Sequence, residues 1–379
     1  MLIEMARRKS QPRLYALMDE AIKEGVFPGG TLLVRRGSET LHESAHGLTS
    51  LVPNGQRVTI DTVYDLASLT KVLVVTPLIV DLVGRGEMNL EDPVTLFVPM
   101  FDGAGREKIT IEHLLEHASG LAAWRAYFEK LAASGGGRLV CEVSGRDAVR
   151  SMLAAEDLIS KPGRQALYSD LGFILLDWAI ERATGKTLDV LFEQRVARKL
   201  GLDDMFFVDL KNKGKAGQAR RERRFAATER CPWRGRTLVG EVHDDNAYAM
   251  GGVSGHAGLF GTARDVAQLA GVWLAAYCGE STIFDSRLVR RFSQRTSVPD
   301  STRALGFDTP SKKNSQAGSL LGREAIGHTG FTGTSLWIDL RRELMIVLLT
   351  NRVHPSRDND AIRRFRPRLH DAAVEECIR

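Results

Sequence analysis

Three short stretches of the 379-residue chain carry side chains whose types and spacing could do chemistry. The first is Ser68-Leu-Thr-Lys71. A serine and a lysine three apart at a helix start share one face, where free backbone N–H groups and the helix dipole favour developing negative charge. A hydroxyl is a poor nucleophile until a base takes its proton. A lysine in an apolar surround has a lowered pKa and can serve as that base, and the run VLVVTPLIVDLV (72–83) offers such a surround. Helix capping by Ser68 is the alternative reading.

The second stretch is Tyr168-Ser169-Asp170, at the start of another helical pattern. Taken by itself, Tyr168 reads as a core or surface amphiphile and Asp170 as an N-cap or first-turn acid. The third is Gly327-His328-Thr329-Gly330-Phe331-Thr332-Gly333. Its glycines expose backbone on a sheet edge, where N–H groups can reach a substrate carbonyl; a glycine-rich turn into a hairpin is the other reading.

Two more stretches resemble metal sites at first sight. His113-Leu-Leu-Glu-His117 matches H-x-x-E-H, the inverted zinc-peptidase pattern, with both histidines on one helical face. No third ligand is evident downstream, so the histidines are expected to pack or hydrogen-bond locally, with Gly120 as a helix C-cap. His243-Asp244-Asp245-Asn246 reads as a turn rich in side-chain-to-backbone hydrogen bonds, or else as a substrate-pocket wall. No metal site and no cofactor is expected.

The elements that must position these residues follow from periodicity. Leu14, Met18, Ala21 and Ile22 have helical spacing, closed by Gly25 and Pro28. TLLVRRG (31–37) and ETLHESAHG (39–47) read as a strand pair turning at Gly37-Ser38. Helical stretches are expected over 111–117, 146–156, 170–183, 188–199 and 263–277, the last with a Thr262/Asp265 capping box. Strand character returns in ALGFDT (304–309), TSLWIDL (334–340) and LMIVLLTN (344–351). The last pair reads as a hairpin at the sheet's centre, because 344–351 is apolar on both faces. Ile362, Phe365, Leu369 and Ala373 mark a final amphipathic helix. Segment 205–250 is poorly patterned and reads as long loops.

Composition is ordinary for a globular chain, 43% hydrophobic and 26% charged. No apolar run is long enough to span a membrane, and the start lacks a secretory h-region, so a cytoplasmic protein is expected. Cys141, Cys231, Cys278 and Cys377 form no C-x-x-C pair, which suits a reducing compartment. Between Lys211 and Arg236 stand ten Lys or Arg and two Glu, a run of +8 within a net charge of +5, leaving about −3 elsewhere. A basic surface insertion explains it; no recognition module accompanies it, so no nucleic-acid partner is expected.

Taken together these stretches resemble the serine beta-lactamase-related hydrolases: class C beta-lactamases, DD-peptidases and the esterases that share their fold. That family has Ser-x-x-Lys, Tyr-x-Asn and Lys-Thr-Gly or His-Thr-Gly motifs in this order, here Ser68/Lys71, Tyr168/Asp170 and His328-Thr329-Gly330. Leu114–Leu121 is similar to its Leu-Leu-x-His-Thr-Ser-Gly-Leu signature, and Gly258–Asp265 to its Gly-Leu-x-Ser-Thr-Ala-x-Asp segment. The H-x-x-E-H match is then incidental. The resemblance implies an α+β fold: a sheet unit from 1–66 and 303–379, and a mostly helical unit over 67–302. It implies acyl transfer to Ser68, with Lys71 and Tyr168 sharing the proton work, and backbone N–H groups of Ser68 and Phe331 as oxyanion hole. His328, Thr329 and Gly330 would contact substrate. Asp170 stands where relatives have Asn; it either raises the pKa of Lys71 and shifts base duty toward Tyr168, or points away as a cap. His328 lacks the fixed charge of lysine, which favours neutral ester or amide substrates. A carboxylesterase leads, followed by a lactamase or DD-peptidase-type amidase, with an inactive binding scaffold as the reading from another class.

Overall fold

The computed structural model describes residues 12–51, 55–134, 143–212, 214, 218, 222–280 and 283–378. Helix α1 (Pro12–Lys23) buries Leu14, Met18 and Ala21 along one stripe, as their spacing predicts. Strands β1 (Gly29–Arg36) and β2 (Glu39–Gly47) follow, joined at Gly37, whose φ of 53° is a backbone state that glycine adopts without penalty. Far along the chain come β8 (Ile326–Thr329), β9 (Ser335–Asp339) and β10 (Leu344–Thr350). These five strands form one antiparallel sheet in the order β2-β1-β10-β9-β8. Pairing of β1 with β10, from Gly30↔Thr350 to Arg36↔Leu344, closes the two ends of the sequence into one unit.

The central place of β10 explains why all of its residues are buried. Leu344, Ile346 and Leu348 pack with Leu32 and Val34 toward α1 and the terminal helix α12 (Ile362–Cys377). Met345, Val347 and Leu349 face the other way, into a larger core with Leu33, Leu269 and Trp273. Truncating one such residue to alanine costs about 2–5 kcal/mol.

The rest of the chain is mostly helical. Strand β3 (Tyr64–Asp65) leads into a π-helical turn (Lys71–Val75) and helix α2 (Thr76–Gly84). Then follow α3 (Ile111–Leu115), α4 (Tyr127–Ser134), α5 (Val143–Ala154), α6 (Asp170–Thr184), α7 (Leu188–Phe192) and α8 (Arg198–Leu200). A three-stranded sheet of β3, β7 (Leu259–Gly261) and β4 (Phe206–Phe207) braces this half, and α10 (Ala263–Cys278) packs its apolar side into the larger core. Between β4 and β7 lie the β5/β6 pair (Arg230–Cys231, Arg236–Thr237) and α9 (Asp245–Ala249); α11 (Ser286–Phe292) follows α10. Among the described residues no helix is long and apolar enough to cross a membrane.

Several expectations change. Residues 304–309 form no strand, only isolated bridges of Asp308 with Arg303 and Gly327, because Gly306 turns at φ 84° where the chain packs on Thr76. Segment 205–250 is not simply loops, since it carries β4, β5, β6 and α9. Thr262 does cap α10 by accepting from Asp265 N, but the Asp265 carboxylate accepts from Asp204 N, so the expected reciprocal box is not made. Helix α3 ends at Leu115 and the left-handed residue after its cap is His117, φ 57°, rather than Gly120. Among the described arginines of the basic run, Arg224, Arg230 and Arg236 are exposed, Arg223 pairs with Asp204 and Arg236 with Glu241, and Arg234 alone is buried, against Asp245. Cys141, Lys213, Lys215, Arg220 and Arg221 lie outside the described residues.

Candidate active site

Ser68 stands at the head of the helix that follows β3. The residue before it, Ala67, has φ 48°, a left-handed state that costs a non-glycine residue roughly 1–2 kcal/mol. Buried Asp65 fastens this corner, its Oδ1 accepting from Ala67 N at 2.9 Å and its Oδ2 from His243 N at 2.7 Å. Burial raises the Asp65 pKa, and those two N–H groups oppose the rise. Strand β7 supports the same corner, with Leu66 N bonded to Leu259 O and Leu259 N to Thr70 Oγ1.

The next turn is π-helical, a form that recurs at functional sites, and it puts Lys71 wholly inside the protein. Lys71 Nζ donates to Ser68 Oγ at 3.0 Å and to His256 O at 2.8 Å, and lies 2.8 Å from Asp170 Oδ1. Tyr168 OH donates to Ser68 Oγ at 2.9 Å. Ser68, Lys71, Tyr168 and Asp170, drawn from two segments far apart in sequence, thus meet at one point. Asp170 is not the cap of α6. Ser169 is, its hydroxyl accepting from Gly172 N, which leaves the Asp170 carboxylate for Lys71.

Burial works against the Lys71 ammonium, yet Asp170 and Tyr168 outweigh it and hold the lysine above its ordinary pKa. Burial also raises Tyr168, against the pull of Lys71. The resting pair is therefore an ammonium and a neutral phenol, both donating to the serine oxygen.

His117 holds the tyrosine segment. Its Nδ1 accepts from Ser169 N at 3.0 Å, Leu167 N bonds to its carbonyl, and its ring lies 4.7 Å from that of Tyr168. Burial, with Arg303 and Lys71 nearby, keeps it neutral. His113 points elsewhere and forms a capping box with Thr110. The two histidines do not converge, and no cluster able to hold a metal occurs among the described residues.

On the other side, the loop after β8 docks on the serine corner. Thr332 Oγ1 donates to Asp65 O and Thr334 Oγ1 to Leu66 O. A Cβ on Gly330 would collide with Thr334 Oγ1 and stand 2.8 Å from Leu66 O, so only glycine allows this approach. Buried Arg366 of α12 ties the loop down by donating to Gly330 O and Thr334 O. Among the described residues, the backbone N–H groups of Ser68 and Phe331 have no hydrogen-bond partner. His328 is buried on the edge strand; its Nδ1 donates to Thr329 O at 2.9 Å, so Nε2 is left as an acceptor. Burial, with Lys71 and Arg303, keeps this ring neutral as well. Thr329 and Gly330 line the same cleft, about 1460 Å³, which opens over Ser68. Asp244 lines it too and also caps α9 through Ala247 N, so both readings of that stretch apply.

Sequence reasoning missed Asp65, Arg366 and His256. Arg366 had a signal: it falls on the apolar stripe of Ile362, Phe365 and Leu369, where a charge must have a partner. Asp65 and His256 act through backbone contacts that no local pattern announces.

The beta-lactamase family model matches residues 14–368. The chain is 33% identical over 368 residues to an N-acetylmuramyl-L-alanine amidase of Bacillus subtilis (strain 168), covering 89% of this chain and 80% of that protein. It is 31% identical over 367 residues to a putative D-alanyl-D-alanine carboxypeptidase of Escherichia coli (strain K12), covering 89% and 82%. Among solved structures it resembles EstCE1, a hydrolase with promiscuous acyltransferase activity, with TM-score 0.73 at 21% identity over 97% of this chain and 99% of that one. SurE matches with TM-score 0.72 at 25% identity, over 98% and 77%. At these identities the EstCE1 likeness carries the fold alone.

Proposed function

The chain belongs to the beta-lactamase family of serine hydrolases, and from that premise we propose that it hydrolyses small, uncharged esters through an acyl-enzyme on Ser68. The observation behind this reading is that one serine oxygen receives both Lys71 and Tyr168, beside two unused backbone N–H groups.

In this account Lys71 and Tyr168 titrate as one coupled pair beside Asp170. Loss of one proton from it creates the base. Because Asp170 holds the proton on Lys71, that form is chiefly the Tyr168 phenolate beside an ammonium. Tyr168 takes the Ser68 proton as Oγ attacks the carbonyl, then hands it to the leaving oxygen; in deacylation it activates water. The Ser68 and Phe331 N–H groups receive the oxyanion, each worth about 3 kcal/mol. Neutral His328 offers an acceptor and no fixed charge, which favours uncharged groups beside Thr329 and Gly330. The division into a sheet unit (1–66 with 303–379) and a helical unit (67–302) belongs to the same proposal, with the cleft at their seam.

An amidase acting on peptide-like substrates is the second reading. It is favoured by what the relatives are named for, an amidase and a putative carboxypeptidase, and by a cleft of about 1460 Å³, roomy for a short-chain ester. Initial rates on p-nitrophenyl esters, a chromogenic cephalosporin and D-alanyl dipeptides separate the two. Ester turnover that far exceeds the others supports the first reading; the reverse order supports the second.

A further inference from the structure

Ser254, His256 and Asp244 form a hydrogen-bonded chain next to the site: His256 Nδ1 lies 2.8 Å from Ser254 Oγ, and His256 Nε2 lies 2.7 Å from Asp244 Oδ1. The composition is that of a nucleophile, base and acid, but Ser254 and His256 are buried, with relative exposures of 0% and 1%. A serine that no substrate can reach is not a second nucleophile.

What the chain touches is Lys71. The ammonium donates to Ser68 Oγ and to the main-chain carbonyl of His256, and lies 2.8 Å from Asp170 Oδ1. Ser68 changes with the reaction, since it becomes acylated, and Asp170 holds the ammonium as an ion pair. The carbonyl is the constant one. Its segment is wedged between the Lys71 turn and α6: a Cβ on Gly255 would strike Phe173 O and come within 2.9 Å of Asp177 Cβ and 3.2 Å of Val75 Cγ2. The His256 ring is its lateral anchor, and Asp244, which holds that ring, is itself fixed by accepting from Ala247 N at 2.7 Å.

We propose that Asp244, His256 and Ser254 brace Lys71, with His256 a positioning residue that acts through its own carbonyl. The proposal rests on the reading that Lys71 takes part in the proton work at Ser68. The charged and titratable groups around Lys71 are Asp170 on α6, Tyr168 just before that helix, His117 after α3 and His328 on β8; those around the His256 ring are Asp244 and Asp177. Freeing the ring lets the carbonyl turn away, and the ammonium loses its constant acceptor. Lys71 then releases its proton at lower pH and sits less well against Ser68.

The test compares His256→Leu, His256→Gln and Ser254→Ala, with active sites counted by a fluorophosphonate and kcat expressed per counted site. In His256→Leu, kcat falls on the order of 10- to 100-fold, as for a displaced catalytic group, while KM stays within about threefold. The limb of the pH–rate profile that Lys71 governs moves to lower pH. His256→Gln, whose amide can still donate to Asp244, restores most of both. Ser254→Ala, which removes one bond to the ring, shifts both in the same direction by less and serves if His256→Leu does not fold. An unchanged per-site kcat and pH profile in the folded variants would overturn the brace. Lys71→Met with undiminished kcat would remove the underlying reading itself; its collapse beside an unaltered His256→Leu would remove the brace alone.

Discussion

Lys71 Nζ and Asp170 Oδ1 lie 2.8 Å apart, and the lysine has no exposure to solvent. Burial by itself would strip the proton from such a lysine. With the carboxylate and the Tyr168 phenol beside it, the ammonium persists. In the proposed mechanism this relationship sets how the proton of Ser68 moves.

Asp170→Asn keeps the shape and removes the charge. The Lys71 pKa should fall, and the limb of kcat/KM against pH that it governs should move down with it. Stability follows the same sign. A lysine whose folded pKa is raised contributes stability that is fully present below its unfolded pKa and lost as pH rises through the folded value. The variant should therefore lose its alkaline stability at lower pH than the parent, measured as Tm between neutral and strongly alkaline pH.

His117→Ala and His113→Ala should differ sharply. The first leaves the buried Ser169 N–H without an acceptor, at about 1–3 kcal/mol, and loosens the segment that carries Tyr168 and Asp170, so kcat falls with stability. The second loses one arm of a capping box, about 1 kcal/mol, with kcat held. Parallel rate and denaturation measurements check both, and a chelator should change neither rate.

Gly330→Ala would push the loop away from Leu66 and Ala67 and carry Phe331 N–H with it. Loss of one oxyanion donor costs on the order of 10²–10³-fold in kcat. Ester kinetics on the folded variant should show that loss with a small change in KM.

Glu116, the acid of the H-x-x-E-H match, has its pKa pushed up to about 7 by burial and by Glu112. For an acid the raised folded value means stability falls as pH climbs from the unfolded value to about 7. Glu116→Gln should gain roughly 1–2 kcal/mol at pH 8, after discounting for solvent screening, and little at pH 4. Urea denaturation at the two pH values tests this.

Much of this architecture was legible from periodicity. The two-sided apolar run of β10 and the stripes of α1 and α12 predict the sheet's centre and its terminal helices, because burial dictates those patterns. The geometry around Ser68 was legible only as a set of spaced motifs: the meeting of Ser68 with Tyr168 depends on tertiary closure. The short elements of 205–250 escaped because two-residue strands have no period to detect. The strand expected at 304–309 fails at Gly306, whose positive φ reflects packing on Thr76. Whether Asp170 capped its helix or faced Lys71 could not be read locally, since either Ser169 or Asp170 can cap; Ser169 does.

The most direct test of the central claim is to mix the protein with a slowly deacylating p-nitrophenyl ester, quench within the burst and map the adduct by peptide mass spectrometry. One acyl group on the peptide that carries Ser68, lost in Ser68→Ala together with at least about 10⁴-fold of the turnover, is the predicted result. Turnover that survives Ser68→Ala, or an acyl group on another side chain, would contradict the account.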